Sequence, residues 1–155
     1  MQFQKQPAQW RGVLIRKLWS TLVFTSSLLF VSALHAETLR VIAHASVEEA
    51  ALSRNTARAI FSMRLKQWSD GQSITVFVLP DSHPVHRQFS REVLSLFPHQ
   101  LRRSWDRYVY SGIGTAPIEV ESEEDMQARI GATPGSIGYI QKEIMDEKVR
   151  TLEVR

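Results

Sequence analysis

The order of apolar runs along this chain predicts a layered α/β domain built on a mixed sheet. Three observations carry that prediction. Strand-like and helix-like segments alternate as β-α-β-α-α-(β)-α-β-β, which is the pattern of helices packed on a sheet. The run Ile74 to Leu79 (Ile-Thr-Val-Phe-Val-Leu) is almost continuously apolar, as a strand covered on both faces should be. The segment that carries the alternation, residues 37–155, is 119 residues long, a natural length for one domain with its own core.

The elements follow in order. Leu39 to Ala43 is a short β-branched run and reads as a buried first strand. His44 to Glu49 forms the loop after it. Ser53 is a good N-cap for a helix from Arg54 to about Phe61, with Leu52, Ala57, Ile60 and Phe61 on its apolar face. Trp68-Ser69-Asp70-Gly71 is a turn, signalled by Asp-Gly. The Ile74–Leu79 strand leads through Pro80-Asp81-Ser82-His83-Pro84 into a helix from about Val85 to Leu96. Phe89, Val93, Leu96 and Phe97 lie on one side of that helix, and Pro98 is expected to end it. A further helix spans His99 to Tyr110, with Leu101, Trp105, Tyr108 and Val109 at helical spacing. Ser111-Gly112-Ile113-Gly114 breaks it. A short strand is expected at Ile118 to Val120. Ser122 caps a helix through Ile130, aided by Glu123, Glu124 and Asp125 in its first turn. Thr133-Pro134-Gly135 is a tight turn. Ser136 to Ile140 and Val149 to Val154 are the last strands.

The first 36 residues differ in kind. Lys5, Arg11, Arg16 and Lys17 come first, with no acidic residue. The apolar run Leu18 to Leu34 follows, and then Ala33-Leu34-His35-Ala36. Basic, apolar, then small is the order of a secretory signal peptide, with cleavage after Ala36 and a periplasmic location. This run of seventeen residues, broken only by hydroxyl residues and Trp19, falls short of the ~20 that usually span a membrane. The whole chain has 19 Lys+Arg against 16 Asp+Glu, a net +3. Four of the basic residues lie in 1–36, so residues 37–155 hold 15 basic and 16 acidic, a net −1. The basic balance belongs to the leader and gives no argument for a nucleic-acid partner. Cysteine is absent, which excludes disulfides, thiolate metal sites and a cysteine nucleophile.

Several segments together carry a resemblance. They are Ile60-Phe61-Ser62-Met63-Arg64, Gln67-Trp68-Ser69-Asp70-Gly71, Ile74-Thr75-Val76, and Thr133-Pro134-Gly135-Ser136-Ile137-Gly138-Tyr139-Ile140. In order and spacing, from Leu52 to roughly Ile140, they resemble the phosphate-binding periplasmic proteins of ABC transporters. That family reads Ile-Phe-x-Gly, then Trp-x-Asp, a strand, a ligand loop, and Thr-Pro-Gly-Ala-Ile-Gly-Tyr. The resemblance implies the type 2 periplasmic-binding fold, in which two α/β lobes close on a ligand. Residues 37–155 suffice for a single three-layer lobe with a mixed, mostly parallel sheet flanked by helices. The family's ligand loop reads Arg-Ser-Asp-Gly-Ser-Gly-Thr. Here the matching stretch is Leu79-Pro80-Asp81-Ser82-His83-Pro84-Val85, without the glycines, and Pro84 removes a backbone donor. Met63 stands where the family has glycine, which predicts a different turn there.

The candidate site is therefore the loop before the Val85 helix, with Asp81, Ser82, His83 and Arg87, and His86 beside them. A helix N-terminus offers unpaired N–H groups and a positive dipole end to an anion. Ser82 would add a hydroxyl and Arg87 a bidentate charged donor. The resemblance adds Ser111 as a further contact. A plainer reading has Asp81 or Ser82 capping the helix while His86 and Arg87 face solvent. His83-x-x-His86 with Asp81 could ligate a metal such as zinc, but nothing elsewhere supplies an obvious further ligand, so neither a metal nor a cofactor is expected. No nucleophile-elbow pattern occurs, and an enzyme is not expected. The function expected is non-covalent capture of phosphate or a similar small oxyanion. A homodimer, a membrane permease or a sensor would supply the missing wall. The alternative is a ligand-free interaction or adaptor domain for an envelope sensor or membrane complex.

Overall fold

The computed structural model describes residues 38–112 and 114–155. The leader read in residues 1–36 lies outside them. Strands β1 (Arg40–His44), β2 (Ala51–Leu52), β3 (Thr75–Val78), β4 (Ile118–Glu119), β5 (Ser136–Ile140) and β6 (Val149–Val154) join in one sheet, in the order β2-β6-β1-β5-β3-β4. β5 runs parallel to β3, and β3 to β4, while β2 runs parallel to β6. β1 is antiparallel to both of its neighbours, β5 and β6. Five strands thus point one way and β1 alone points back. The sheet is mixed and mostly parallel, as expected.

Helices α1 (Arg54–Phe61), α2 (Pro84–Glu92), α3 (Pro98–Tyr110) and α4 (Glu123–Ala132) cover the sheet. Alternation along β5 shows which lies where, because successive strand residues face opposite sides. Tyr139 stacks on Phe89 of α2, with ring centroids 3.9 Å apart, and meets Phe61 of α1 at 5.9 Å. Its neighbour Gly138 faces α4. A Cβ at Gly138 would lie 2.6 Å from Met126 Sδ and 2.9 Å from Ile130 Cδ1, so only glycine lets α4 approach this closely. The result is three layers, with β5 buried along its whole length. The apolar run of β3 is buried at Val76, Phe77, Val78 and Leu79, as a strand covered on both faces must be.

Local signals act as read. Ser53 caps α1 by accepting Thr56 N–H at 3.0 Å. Ser122 caps α4 by accepting from Asp125 N–H at 3.1 Å. Trp68 is buried and its Nε1–H donates to the Gly135 carbonyl at 2.9 Å, which ties the Trp-x-Asp turn to the Thr-Pro-Gly turn. Gly135 itself has φ +77°, and the Ser73 carbonyl would lie 2.5 Å from an added Cβ.

Three expectations need correction. α2 ends at Glu92, not Leu96, because Ser95 turns left-handed (φ 53°) and Leu96 N–H bonds back to the Ser90 carbonyl at 2.8 Å. Pro98 therefore does not end α2. It opens α3 within its first turn, where its missing N–H has no helical partner to lose. Phe97, expected on the apolar side, is 56% exposed because the chain has already left the helix. Met63 adopts φ 62°, the region glycine enters freely, and its side chain is buried.

Candidate functional site

The loop between β3 and α2 lies at the carboxyl end of β3, the end of an α/β sheet where ligands usually bind. Its centre is Asp81, and its partner comes from a distant helix. Arg102 of α3 donates from Nε to Asp81 Oδ2 at 3.0 Å and from Nη2 to Oδ1 at 2.9 Å, a bidentate fork. Arg102 also reaches Glu119 Oε2 of β4 at 3.3 Å and lies over the Trp105 ring, 4.9 Å from its centroid. The hydrogen bonds donated to Asp81 are the main reason the guanidinium holds its proton more firmly than usual, ahead of the charges of Asp81 and Glu119.

Beneath the loop is a buried polar chain. Leu79 N–H donates to the Tyr139 hydroxyl at 2.9 Å, and that hydroxyl lies 2.5 Å from His86 Nδ1. His86 Nε2 faces Asp81 Oδ1 at 3.5 Å. The carboxylate opposite Nε2 selects the tautomer with its proton there, so Nδ1 accepts from Tyr139. His86 has no exposed surface, and burial pushes its pKa down against the pull of Asp81. Burial likewise pushes the Tyr139 phenol up. Ser90 Oγ lies 3.5 Å from His86 Nε2, which completes a serine, a histidine and an aspartate in one place. Ser90 and His86 are both wholly buried, so the hydroxyl cannot meet a substrate.

The residues singled out in the sequence fall into three groups. Asp81, Ser82, His83 and Arg87 come together as expected. Their contacts, however, are largely internal. His83 is the N-cap of α2, its Nδ1 accepting Val85 N–H at 3.3 Å, which is the capping role the plainer reading gave to Asp81 or Ser82. Arg87 is exposed and donates through Nη1 to the Ser82 carbonyl. Ser82 is exposed, with its hydroxyl free of protein partners among the described residues. His86, read as a surface residue, is in the core. Ser111 caps the far end of α3, its hydroxyl donating to the Tyr108 carbonyl at 3.1 Å. It lies nine residues beyond Arg102, roughly 13 Å along the helix axis, and is not brought to the Asp81 loop. His83 and His86 do not share a ligand position, and among the described residues no group of three or more His, Asp or Glu is placed to hold a metal.

Arg102, Glu119 and Tyr139 belong to this site and were not read from the sequence. Arg102 lies 21 residues from Asp81, and Tyr139 lies 53 from His86. Only the fold closes those distances.

No protein-family model matches the chain, and no curated protein sequence does. Solved structures do share its fold. One is a protein of Clostridium perfringens assigned as a phosphate ABC transporter substrate-binding protein and solved with bound phosphate. It has TM-score 0.60 and 15% identity, over 75% of this chain and 44% of that one. Another is an ABC-type phosphate transport receptor of Vibrio cholerae, with TM-score 0.57 and 14% identity, over 75% and 45%. A third is PstS of Borrelia burgdorferi, with TM-score 0.56 and 16% identity, over 76% and 47%. This chain spans less than half the length of these structures, and identity at this level establishes the shared fold alone. Among the described residues no helix is long and apolar enough to cross a membrane.

Proposed function

We propose that the chain is a non-enzymatic binding module of the solute-binding type that holds a phosphate-like oxyanion at the N-terminus of α2. One observation carries the reading. The exposed Ser82 and the Arg87 guanidinium sit on one turn, joined by the Arg87–Ser82 bond, where a helix N-terminus meets the carboxyl end of β3. The fold is the one seen in structures described as phosphate-transport receptors. Asp81 fixes the loop through Arg102 and does not touch the ligand. A single lobe cannot close over an anion by a hinge, and contacts left in water are weak. Tight capture then requires a second wall from a membrane permease, a sensor or another copy of the chain, in the periplasm after removal of residues 1–36.

A specific observation favours a second reading, a ligand-free interaction domain. Asp81 and Glu119 both converge on Arg102, so that guanidinium is already matched by two carboxylates and offers no net positive charge to an oxyanion. Thermal melting of the purified chain with inorganic phosphate and sulfate separates the two. A ligand that binds only the folded state raises the melting temperature with its saturation. A phosphate-dependent rise that disappears in Ser82→Ala and Arg87→Ala supports the solute-binding reading. A rise indifferent to both substitutions, or none at millimolar anion, sinks this site and leaves the interaction reading.

A further inference from the structure

On another side of α3 lies a groove that the sequence did not single out. It is a cavity of about 270 Å³ between α1 and α3, and three of its lining residues are Arg58, Arg64 and Arg107. No carboxylate of the described residues lines it. Among the described residues none of these arginines takes part in an ion pair. We infer that this groove binds a phosphoryl group, held by the guanidiniums of Arg58, Arg64 and Arg107.

The way the three are held supports this. Arg58 donates from Nε to the Leu94 carbonyl at 2.9 Å, and Arg64 from Nε to Ser62 Oγ at 3.0 Å. Each uses the N–H nearest its stem, which orients the fork. Both terminal nitrogens then have no protein partner among the described residues. Arg107 makes no side-chain hydrogen bond among them. The hydroxyl-bearing Ser104 and Tyr108 line the same cavity.

The backbone brings Arg64 there at a cost. Met63 sits at φ 62°, and Arg64 N–H bonds back to the Ala59 carbonyl at 2.8 Å, folding the chain onto the end of α1. A non-glycine residue in that region costs about 1–2 kcal/mol, and such strain gathers at ligand clamps. The negative end of α1 eases the presence of Arg58 and Arg64 but does not neutralise three cations. A phosphoryl group presents several anionic oxygens to several forked donors, the match for which arginine is best suited. The volume equals that of about nine waters, enough for such a group with part of its hydration.

The phosphoryl group could come from a soluble phosphate or from a phospholipid headgroup, and one experiment distinguishes them. The full chain is titrated at low salt with inorganic phosphate, and separately with vesicles of phosphatidylcholine with or without phosphatidylglycerol. The Arg64→Gln/Arg107→Gln pair is compared with the Ser82→Ala/Arg87→Ala pair. Loss of each guanidinium should weaken binding roughly tenfold. Binding of free phosphate that falls in the first pair and survives in the second supports a soluble ligand. Binding only to phosphatidylglycerol vesicles with the same pattern supports a headgroup. No binding to either probe, or binding that the first pair leaves intact, overturns the inference. Loss confined to the second pair overturns it too, while favouring the α2 site. An unchanged melting temperature of the first pair without ligand shows that folding is intact, and Arg107→Lys should retain part of the affinity by keeping charge without the fork.

Discussion

Arg102 and Arg107 lie on one helix and meet opposite surroundings. Arg102 is locked between Asp81 and Glu119 over the face of Trp105, and its charge is answered on the spot. Arg107 opens on a groove with Arg58 and Arg64, and no carboxylate of the described residues lines that groove. The same residue type is structural at one position and available at the other. The difference lies in what the fold brings to each. β3 and β4 deliver acids to the first, whereas α1 delivers two more cations to the second. An arginine matched by carboxylates fixes a loop. A cluster of unmatched ones is an electrostatic debt that a ligand settles.

The comparison breaks first at the buried chain under Asp81. Tyr139→Phe removes a hydroxyl that accepts from Leu79 N–H and bonds His86 Nδ1, both inside the core. Orphaning a buried polar group costs about 1–3 kcal/mol, so urea denaturation should show a loss of that size. A loss near zero would mean that water replaces the hydroxyl and that the loop does not depend on the chain beneath it.

Acid should act on the same chain through His86. Its folded pKa lies below the ordinary histidine value of 6.5, with burial as the main cause. The unfolded chain therefore binds this proton before the folded one does. The stability it contributes is complete above about pH 6.5 and falls as pH drops from there towards the lower folded value, with a slope of at most ~1.4 kcal/mol per pH unit. His86→Gln should flatten that part of the stability curve. The carboxylates of Glu49, Glu124 and Glu153 are held below their ordinary values and act at lower pH than the start of this fall.

These two regions also divide what was legible in the sequence. Ser53, Ser122, the Asp-Gly turn and the β-branched runs act within a few residues, so caps, turns and most strands could be read directly. The end of α2 could not, because Ser95 enters the left-handed region and the apolar residues beyond it continue the helical spacing regardless. β2 is two residues long and exists only by pairing with β6. At the site, sequence reasoning gathered Asp81, Ser82, His83 and Arg87 because they are neighbours in the chain. It set His86 beside them, and the plainer reading left His86 in solvent. The aromatic partners that bury it, Trp105 and Tyr139, arrive from α3 and β5. The arginine groove was not legible as a site, since Arg58 and Arg107 look like ordinary solvated positions on amphipathic helices, and Arg64 like a turn residue, until α1 and α3 are set side by side.

A smaller effect sharpens the contrast at Arg102. Asp81 and Arg102 are 37% and 39% exposed, so water screens their attraction. Asp81→Asn should cost only about 0.5–1 kcal/mol, and a double-mutant cycle with Arg102→Gln should return a coupling of that order which shrinks with added salt. A coupling that does not respond to salt would mean that the pair is effectively buried by the loop.

The least effect on stability belongs to the other arginine. Arg107 is exposed and its side chain makes no hydrogen bond among the described residues, so Arg107→Gln in the free protein should change unfolding free energy by less than about 0.5 kcal/mol. The sign is informative. Three guanidiniums around one cavity repel, and removing one relieves that repulsion, so the substitution should be neutral or slightly stabilising, most visibly at low ionic strength. Removing a carboxylate-matched arginine should do the reverse. Arg102→Gln is expected to destabilise under the same conditions. Urea melts of the two variants in low and high salt test this directly. If Arg107→Gln destabilises as Arg102→Gln does, Arg107 has a structural partner and the groove is not an open cation cluster. If it stabilises, the fold tolerates an unfavourable arrangement of charge there, as a site built for an anion would.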